Sequence, residues 1–299
     1  MLESTGTSNF VVSGKTFQTW YKVIGDLKSG RRPLVVLHGG PGLTHHYMLP
    51  HSELYKKAGI PIILYDQLGN GQSSHYRDCP DNFWTPSLFS DQLESLLRDL
   101  EVYDNYDLLG HSWGGFLAAY FASTRKSTGL KRLILANCPA SIPLLVEGLN
   151  ILLDAFGPDF AAMIRKNEAE NTLGNPEYQK GMSLFMRSHI CAIRPMPKLL
   201  HQSFSANKED NTVNIQMMGP ATFYIDGTLR DETTIPHLAG INVPTLVINS
   251  DKDEVHDVSV KPFVDLIPQS TWVKMRNSTH VPMFEEPERY FQVLSEFLS

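Results

Sequence analysis

Leu108-Leu109-Gly110-His111-Ser112-Trp113-Gly114-Gly115 joins an apolar, strand-like run to a small-residue stretch, Phe116 to Ser123, that suits a helix. The glycines two residues either side of Ser112 let the chain turn from strand to helix through a corner too tight for side chains. Such a corner lifts the serine hydroxyl above the end of a sheet. Ser112 is then a candidate nucleophile, provided the rest of the chain supplies a base, an acid to orient it and donors for an oxyanion. The plain alternative is a glycine-containing turn with no chemistry, so the flanking segments decide.

Upstream, Arg32 to Leu37 reads as a buried strand ending at His38-Gly39-Gly40-Pro41-Gly42. Pro61 to Tyr65 reads as a second, ending at Asp66-Gln67-Leu68-Gly69-Asn70-Gly71-Gln72-Ser73. Tyr47 to Lys57 between them fits a helix, which makes a β-α-β unit with parallel strands. Phe10 to Ile24 alternates around Ser13-Gly14 as a hairpin does. Ser90 to Leu100 places Leu93, Leu96, Leu97 and Leu100 at helical spacing, and the strand Tyr106 to Leu109 then leads into Ser112. Lys131 to Ala136 is one more buried strand.

Beyond it the strand signals stop until Pro236, and helical segments are broken at Gly157-Pro158, Asn175-Pro176, Arg194-Pro195 and Met196-Pro197. Alternation resumes with strand Pro244 to Asn249, helix Ser259 to Leu266, strand Thr271 to Met275 and helix Pro287 to Leu298. The pattern predicts an α/β fold: a mostly parallel, doubly wound sheet built from residues 1–140 and 237–299, with a helical cap, 141–236, inserted after the sixth strand. An ordinary flanking helical layer is the alternative reading of the insertion.

Of 299 residues, 42% are hydrophobic and 19% charged, the balance of a globular protein. A formal net charge of −6 offers no basic excess to displace counterions, so nucleic acid and anionic membrane are not expected partners. A small molecule or short peptide is. The polar run Met1 to Asn9 lacks the pattern of a signal peptide. The longest apolar region, Leu133 to Phe156, is interrupted by Pro139, Pro143, Glu147 and Asn150, which excludes a plain membrane span. The expectation is a cytoplasmic protein, monomeric or a small homo-oligomer. Cys79, Cys138 and Cys191 are odd in number and widely spaced, which suits reduced thiols. With no Cys-x-x-Cys and no paired histidines, neither a metal nor another cofactor is expected.

A serine hydroxyl needs a base, usually histidine, whose tautomer is fixed by a carboxylate. In one fold with a serine corner of this kind the three follow the order serine, acid, histidine, the last two at the ends of late strands. Here Ser112 is followed by Asp253 after the strand Pro244 to Asn249, and by His280 after the strand Thr271 to Met275. Asp251 competes with Asp253 for the acid. His111 reads as a packing residue and His38 as a residue that orders the glycine loop. The Trp113 backbone N–H, at a helix N-terminus, and the Gly40 N–H, on an open backbone, are the candidate oxyanion donors.

His38-Gly39-Gly40-Pro41-Gly42, the run Asp66 to Ser73, Gly110-His111-Ser112-Trp113-Gly114-Gly115 and Asp253-Glu254 together resemble the proline iminopeptidase family of α/β-hydrolases, over nearly the whole chain. Asn175-Pro176-Glu177-Tyr178-Gln179 and Gly219-Pro220 are similar to its tricorn-interacting aminopeptidase branch. The resemblance implies the α/β-hydrolase fold and a triad of Ser112, Asp253 and His280, with Glu254 marking which aspartate acts. It implies substrate contacts at Gly39 and Glu254, and acidic residues that hold the substrate's free amino group. The family pattern carries a Glu shortly before a Phe after Gly-Pro. This chain reads Gly219-Pro220-Ala221-Thr222-Phe223, so Thr222 stands where that carboxylate is expected, with Glu147 and Asp226 as cap carboxylates able to compensate.

The activity implied is hydrolysis of a small amide, as an iminopeptidase or amino-acid amidase. Thr222 and the apolar Phe185, Met186, Phe204, Met217, Met218 and Phe223 motivate an alternative, an esterase or lactonase for a specialised metabolite lacking a free amine. A third reading is a low-turnover ligand receptor on the same fold.

Overall fold

The computed structural model describes residues 2–125 and 127–299; Met1, the first residue of the polar amino-terminal run, lies outside them. Among these residues eight strands form one sheet: β1 Glu3–Val12, β2 Lys15–Ile24, β3 Leu34–Leu37, β4 Ile62–Tyr65, β5 Tyr106–His111, β6 Leu130–Ala136, β7 Thr245–Ser250 and β8 Ser270–Met275. Their order is β1-β2-β4-β3-β5-β6-β7-β8. β1 and β2 form an antiparallel hairpin, β2 runs antiparallel to β4, and the pairs from β4 to β8 are parallel.

Strand alternation divides the core into two layers. Val35 and Leu37 of β3, with Leu108 of β5, join one apolar cluster, while Leu34 and Val36, with Leu109, join the other. Helices α1 (Ser52–Ala58) and α11 (Pro287–Leu298) cover the second face. Helices α2 (Pro86–Asp99), α3 (Trp113–Thr124) and α9 (Asp257–Leu266) cover the first.

Two helices differ from the sequence expectation at their starts. The Tyr47 to Lys57 segment opens as a 3₁₀ turn, His45–His51, with Pro50 inside it, and becomes α-helical only at Ser52. Pro50 has no N–H to donate to an α-helical ladder. α2 begins at Pro86 rather than Ser90, because Thr85 accepts from the Leu88 N–H at 3.1 Å and Pro86 presets the first helical φ.

Between β6 and β7 lie helices α4 (Ile142–Asp154), α5 (Pro158–Ala169), α6 (Pro176–His189), α7 (Lys198–Glu209) and α8 (Thr212–Met218). Gly157 at φ +103 and Asn175, whose side chain accepts from the Glu177 N–H at 2.9 Å, separate α4 from α5 and α5 from α6. A last short helix, α10 (Pro282–Glu285), precedes α11. No described helix is long and apolar enough to cross a membrane.

The chain leaves β3 towards β4 on one side and returns to β5 on the other. The loops after β3 and β5 therefore diverge and open a crevice at their carboxyl ends, where doubly wound sheets bind ligands.

Candidate active site

Ser112 sits at that crevice, between the end of β5 and the first turn of α3, with φ 57 and ψ −128. A non-glycine residue in this region costs on the order of 1–3 kcal/mol and persists only where its surroundings over-determine it. They do so here. The Ser112 N–H donates to the Ala136 carbonyl at 3.0 Å. A Cβ at Gly110 would stand 2.0 Å from the Gly114 carbonyl oxygen, and one at Gly114 would stand 2.5 Å from that of Leu37. Only glycine admits this approach of helix to strand.

Asp253 and His280 come from the loops after β7 and β8. His280 Nδ1 lies 2.7 Å from Asp253 Oδ1, which also accepts from the Val255 N–H at 3.0 Å. Both side chains are buried. In the neutral imidazole this bond places the proton on Nδ1 and leaves Nε2 open as an acceptor. Burial works against the imidazolium, but Asp253 and then Glu254 outweigh it and raise the His280 pKa to about 9. Nε2 faces Glu254 Oε1 at 3.4 Å, while the Ser112 hydroxyl makes no hydrogen bond to a described residue. Glu254 is itself shifted upward by burial. Asp251, the competing acid, points away to Lys274 at 3.3 Å and Arg276 at 3.5 Å.

No described residue accepts from the N–H of Gly40 or Trp113. Gly40 holds φ +116, and Trp113 opens α3, so its N–H adds the positive end of the helix dipole. Gly39 donates its N–H to the Tyr47 hydroxyl at 2.6 Å, and its carbonyl lies 3.0 Å from His38 Nδ1. It matters by what it lacks: a Cβ there would stand 2.8 Å from Ser112 Cβ.

A polar lattice beneath the site joins its parts. His38 orders the loop from both sides, since Nδ1 meets the Gly39 carbonyl and Nε2 accepts from the Gln67 N–H at 3.0 Å. Gln67 in turn donates to the His38 carbonyl at 2.7 Å and accepts from the Trp113 indole at 2.8 Å. His111 spans Tyr47 at 2.9 Å and the His280 carbonyl at 2.7 Å. Burial lowers the pKa of both His38, to about 4, and His111, which suits them to neutral structural bonds.

Two cavities flank Ser112 and share Gly40, Pro41, Asn214, Thr222 and Glu254. One, of about 180 Å³, is closed by Trp113, Phe116, Ile142, Leu145, Leu149 and Met218. The other, of about 280 Å³, is bounded by His280 and by Met182, Phe185, Met186, Leu200 and Phe204. Met217 and Phe223, named above as apolar cap residues, are buried and line neither cavity.

Neither proposed compensating carboxylate lines these cavities. Glu147 is exposed on α4, and Asp226 packs against Gly219 beside an outer groove. A third carboxylate, which pattern reading missed, also lines neither cavity and has a structural part instead. Glu168, on α5, accepts from the Thr222 N–H at 2.9 Å, from the Phe223 N–H at 3.1 Å and from the Tyr178 hydroxyl at 3.1 Å. It holds the loop that presents Thr222. Tyr47, Gln67 and Asn137 were also missed as site residues, since their partners are remote in sequence and no spacing rule marks them.

A mostly parallel eight-stranded sheet with a serine corner after β5 and an Asp–His pair after β7 and β8 defines an α/β-hydrolase, and residues 32–287 match the family model described as alpha/beta hydrolase fold. A proline iminopeptidase of Saccharolobus solfataricus is 33% identical over 273 residues, covering 91% of this chain and 86% of that protein. The crystal structure of a proline iminopeptidase from Mycobacterium smegmatis superposes with a TM-score of 0.91 at 35% identity, covering 99% of this chain and 97% of the other. That of VinJ superposes with a TM-score of 0.92 at 40% identity, covering 98% of each chain. The chain belongs to the proline iminopeptidase family of α/β-hydrolases.

Proposed function

We propose that the chain is a serine hydrolase that cleaves a small amide, releasing the N-terminal residue of a short peptide or the acyl half of an amino-acid amide through an acyl-enzyme on Ser112. Ser112 Oγ attacks the carbonyl carbon and His280 Nε2 takes its proton. The Gly40 and Trp113 N–H groups receive the oxyanion, and Asp253 stabilises the imidazolium. The C–N bond then breaks, and His280 gives the proton to the departing nitrogen. Water attacks the acyl carbon by the same route and restores the serine.

Because His280 must reach the departing nitrogen, the cavity it lines is the leaving-group side. The smaller cavity, bounded by Trp113 and Phe116, is then the acyl side. Glu254 is the anionic partner for a substrate ammonium between them, and Thr222 adds an uncharged acceptor. Residues 141–236 serve as a cap over the core formed by 1–140 and 237–299. We place the enzyme in the cytoplasm, where its cysteines stay reduced, acting as a monomer or small homo-oligomer.

The observation that carries this reading is the buried Asp253–His280 pair, held at 2.7 Å and opening on the same cavity as Ser112. A panel of aminoacyl arylamides and their amine-free ester analogues, run with wild type and Ser112→Ala, tests it. Arylamide turnover that disappears in Ser112→Ala supports the proposal. Wild-type inactivity across the panel, or unchanged turnover in Ser112→Ala, removes it, and a preference for the amine-free esters would move the substrate class.

A further inference from the structure

The helical insertion grips the candidate oxyanion loop through backbone carbonyls. On α7, Ser203 and Asn207 are four residues apart and share one face of the helix. Ser203 Oγ donates to the Thr44 carbonyl at 3.2 Å and lies 3.3 Å from the Tyr47 N–H. Asn207 Nδ2 donates to the Gly42 carbonyl at 3.2 Å, and from α8 Asn214 Nδ2 donates to the Pro41 carbonyl at 2.9 Å. The chain just beyond Gly40 is thus held at Pro41, Gly42 and Thr44 by three side chains of the insertion. On its other side Gly39 is held by Tyr47.

The fit is close as well as polar. A Cβ at Gly42, where φ is +108, would stand 2.3 Å from Asn207 Nδ2 and 2.9 Å from Asn214 Cβ. The insertion also reaches the opposite wall. The His189 carbonyl, at the end of α6, accepts from the N–H groups of Glu254 at 3.0 Å and His280 at 3.2 Å, and its ring Nδ1 lies 3.1 Å from the Lys252 carbonyl.

Gly39, Gly40 and Gly42 give the loop more backbone freedom than side-chain-bearing residues would, so an unrestrained Gly40 N–H would sample many directions. Stabilising an oxyanion requires a donor fixed before the reaction, because a displacement near 1 Å can cost about 10²-fold in rate. Apolar packing would enclose substrate equally well without aiming two amides at two adjacent carbonyls.

We propose that Asn207 and Asn214 are positioning residues for the oxyanion loop, so that the insertion completes the catalytic geometry in addition to covering the substrate. This rests on the serine-hydrolase reading, since the direction of the Gly40 N–H matters only if an oxyanion forms there.

The test uses Asn207→Ala, the near-isosteric Asn214→Leu, which removes the donor without adding a charge to the wall that also carries Glu254, and the double variant, all in the full chain. Measured are kcat and KM for an arylamide, inhibition by a boronic acid that becomes tetrahedral on Ser112, inhibition by the product amino acid, and Tm. Each single variant is expected to lower kcat about 10-fold and the double about 10²-fold. Boronate affinity should fall in parallel, while KM and product affinity stay within about threefold, since ground-state contacts are retained. Folded variants with wild-type kcat overturn the proposal. So does a loss confined to KM and product binding, which would make the asparagines substrate contacts. A fall in kcat without loss of boronate affinity overturns it too. If Asn214→Leu does not fold, Asn207→Ala decides by the same comparison. An active Ser112→Ala would defeat the underlying reading, whereas an inactive Ser112→Ala beside fully active asparagine variants would defeat only the positioning role.

Discussion

Asn137 Nδ2 donates to Asp253 Oδ2 at 2.5 Å, on the carboxylate oxygen that His280 leaves free. The same amide group meets Ser250 Oγ at 2.9 Å, and Asn137 itself is buried at φ +50. Replacing it with Ala is expected to remove a charge-assisted bond from a buried anion, at about 1.5–3 kcal/mol of stability. kcat should fall with it as the Asp–His pair loses its fixed geometry. Asn137→Gly relieves the left-handed backbone and should recover part of the Tm but none of the kcat. Equal recovery of both would show that backbone strain alone matters at this position.

The choice between the two aspartates has a direct kinetic consequence. Asp253→Asn should lower kcat about 10⁴-fold by disfavouring the tautomer that leaves Nε2 free. Asp251→Asn loses only ion pairs at the half-buried Lys274 and the exposed Arg276, and its effect should stay within about threefold.

His280 must be neutral to accept the Ser112 proton. With its pKa raised to about 9, first against burial by Asp253 and then by Glu254, kcat/KM should rise as pH climbs through that value. Glu254→Gln removes one of the charges that stabilise the imidazolium, so the acid limb should move to lower pH. A pH series with an amine-free substrate isolates this effect from titration of the substrate amine. An acid limb that does not move would place the controlling charge elsewhere.

Thr222 lies on the wall shared by both cavities, beside Glu254. Thr222→Glu adds a second carboxylate there and should raise the preference for substrates with a free amine over amine-free analogues by about 10–100-fold, the worth of one charge-assisted contact. Paired kcat/KM values for the two substrates measure it.

At the elbow, Gly114→Ala brings a Cβ within 2.5 Å of the Leu37 carbonyl oxygen and 2.6 Å of that of His38. Both atoms are backbone, so no rotamer change relieves the contact. A loss of at least about 1–3 kcal/mol is expected in chemical denaturation, together with loss of activity as α3 moves off β3.

The sheet and its parallel order were legible because strand runs such as Leu34–Leu37 and Thr245–Ser250 are short, apolar and separated by helical spacing, all local properties. The serine corner was legible for the same reason, since Gly110 and Gly114 act on Ser112 from two residues away. Glu168 and Asn137 were not legible. Each is an ordinary polar residue whose role comes from partners far along the chain: Thr222 and Phe223 for Glu168, Asp253 for Asn137. The bond from the Gly39 N–H to the Tyr47 hydroxyl was not legible either.

Chain order and local pattern by themselves determined the fold class, the elbow at Ser112 and the candidates Asp253 and His280, because hydrophobic periodicity and glycine spacing act over a few residues. Local spacing left Asp251 beside Asp253, the family resemblance pointed to Asp253 through Glu254, and the tertiary structure sets Asp253 against His280. Tertiary structure alone decided that Glu168 holds the Thr222 N–H, that Glu147 and Asp226 lie outside both cavities beside Ser112, and that α7 and α8 hold the loop carrying Gly40. Those outcomes depend on which loops the sheet brings within hydrogen-bonding reach, and a distance of about 3 Å between residues tens to more than a hundred positions apart leaves no trace in a single sequence.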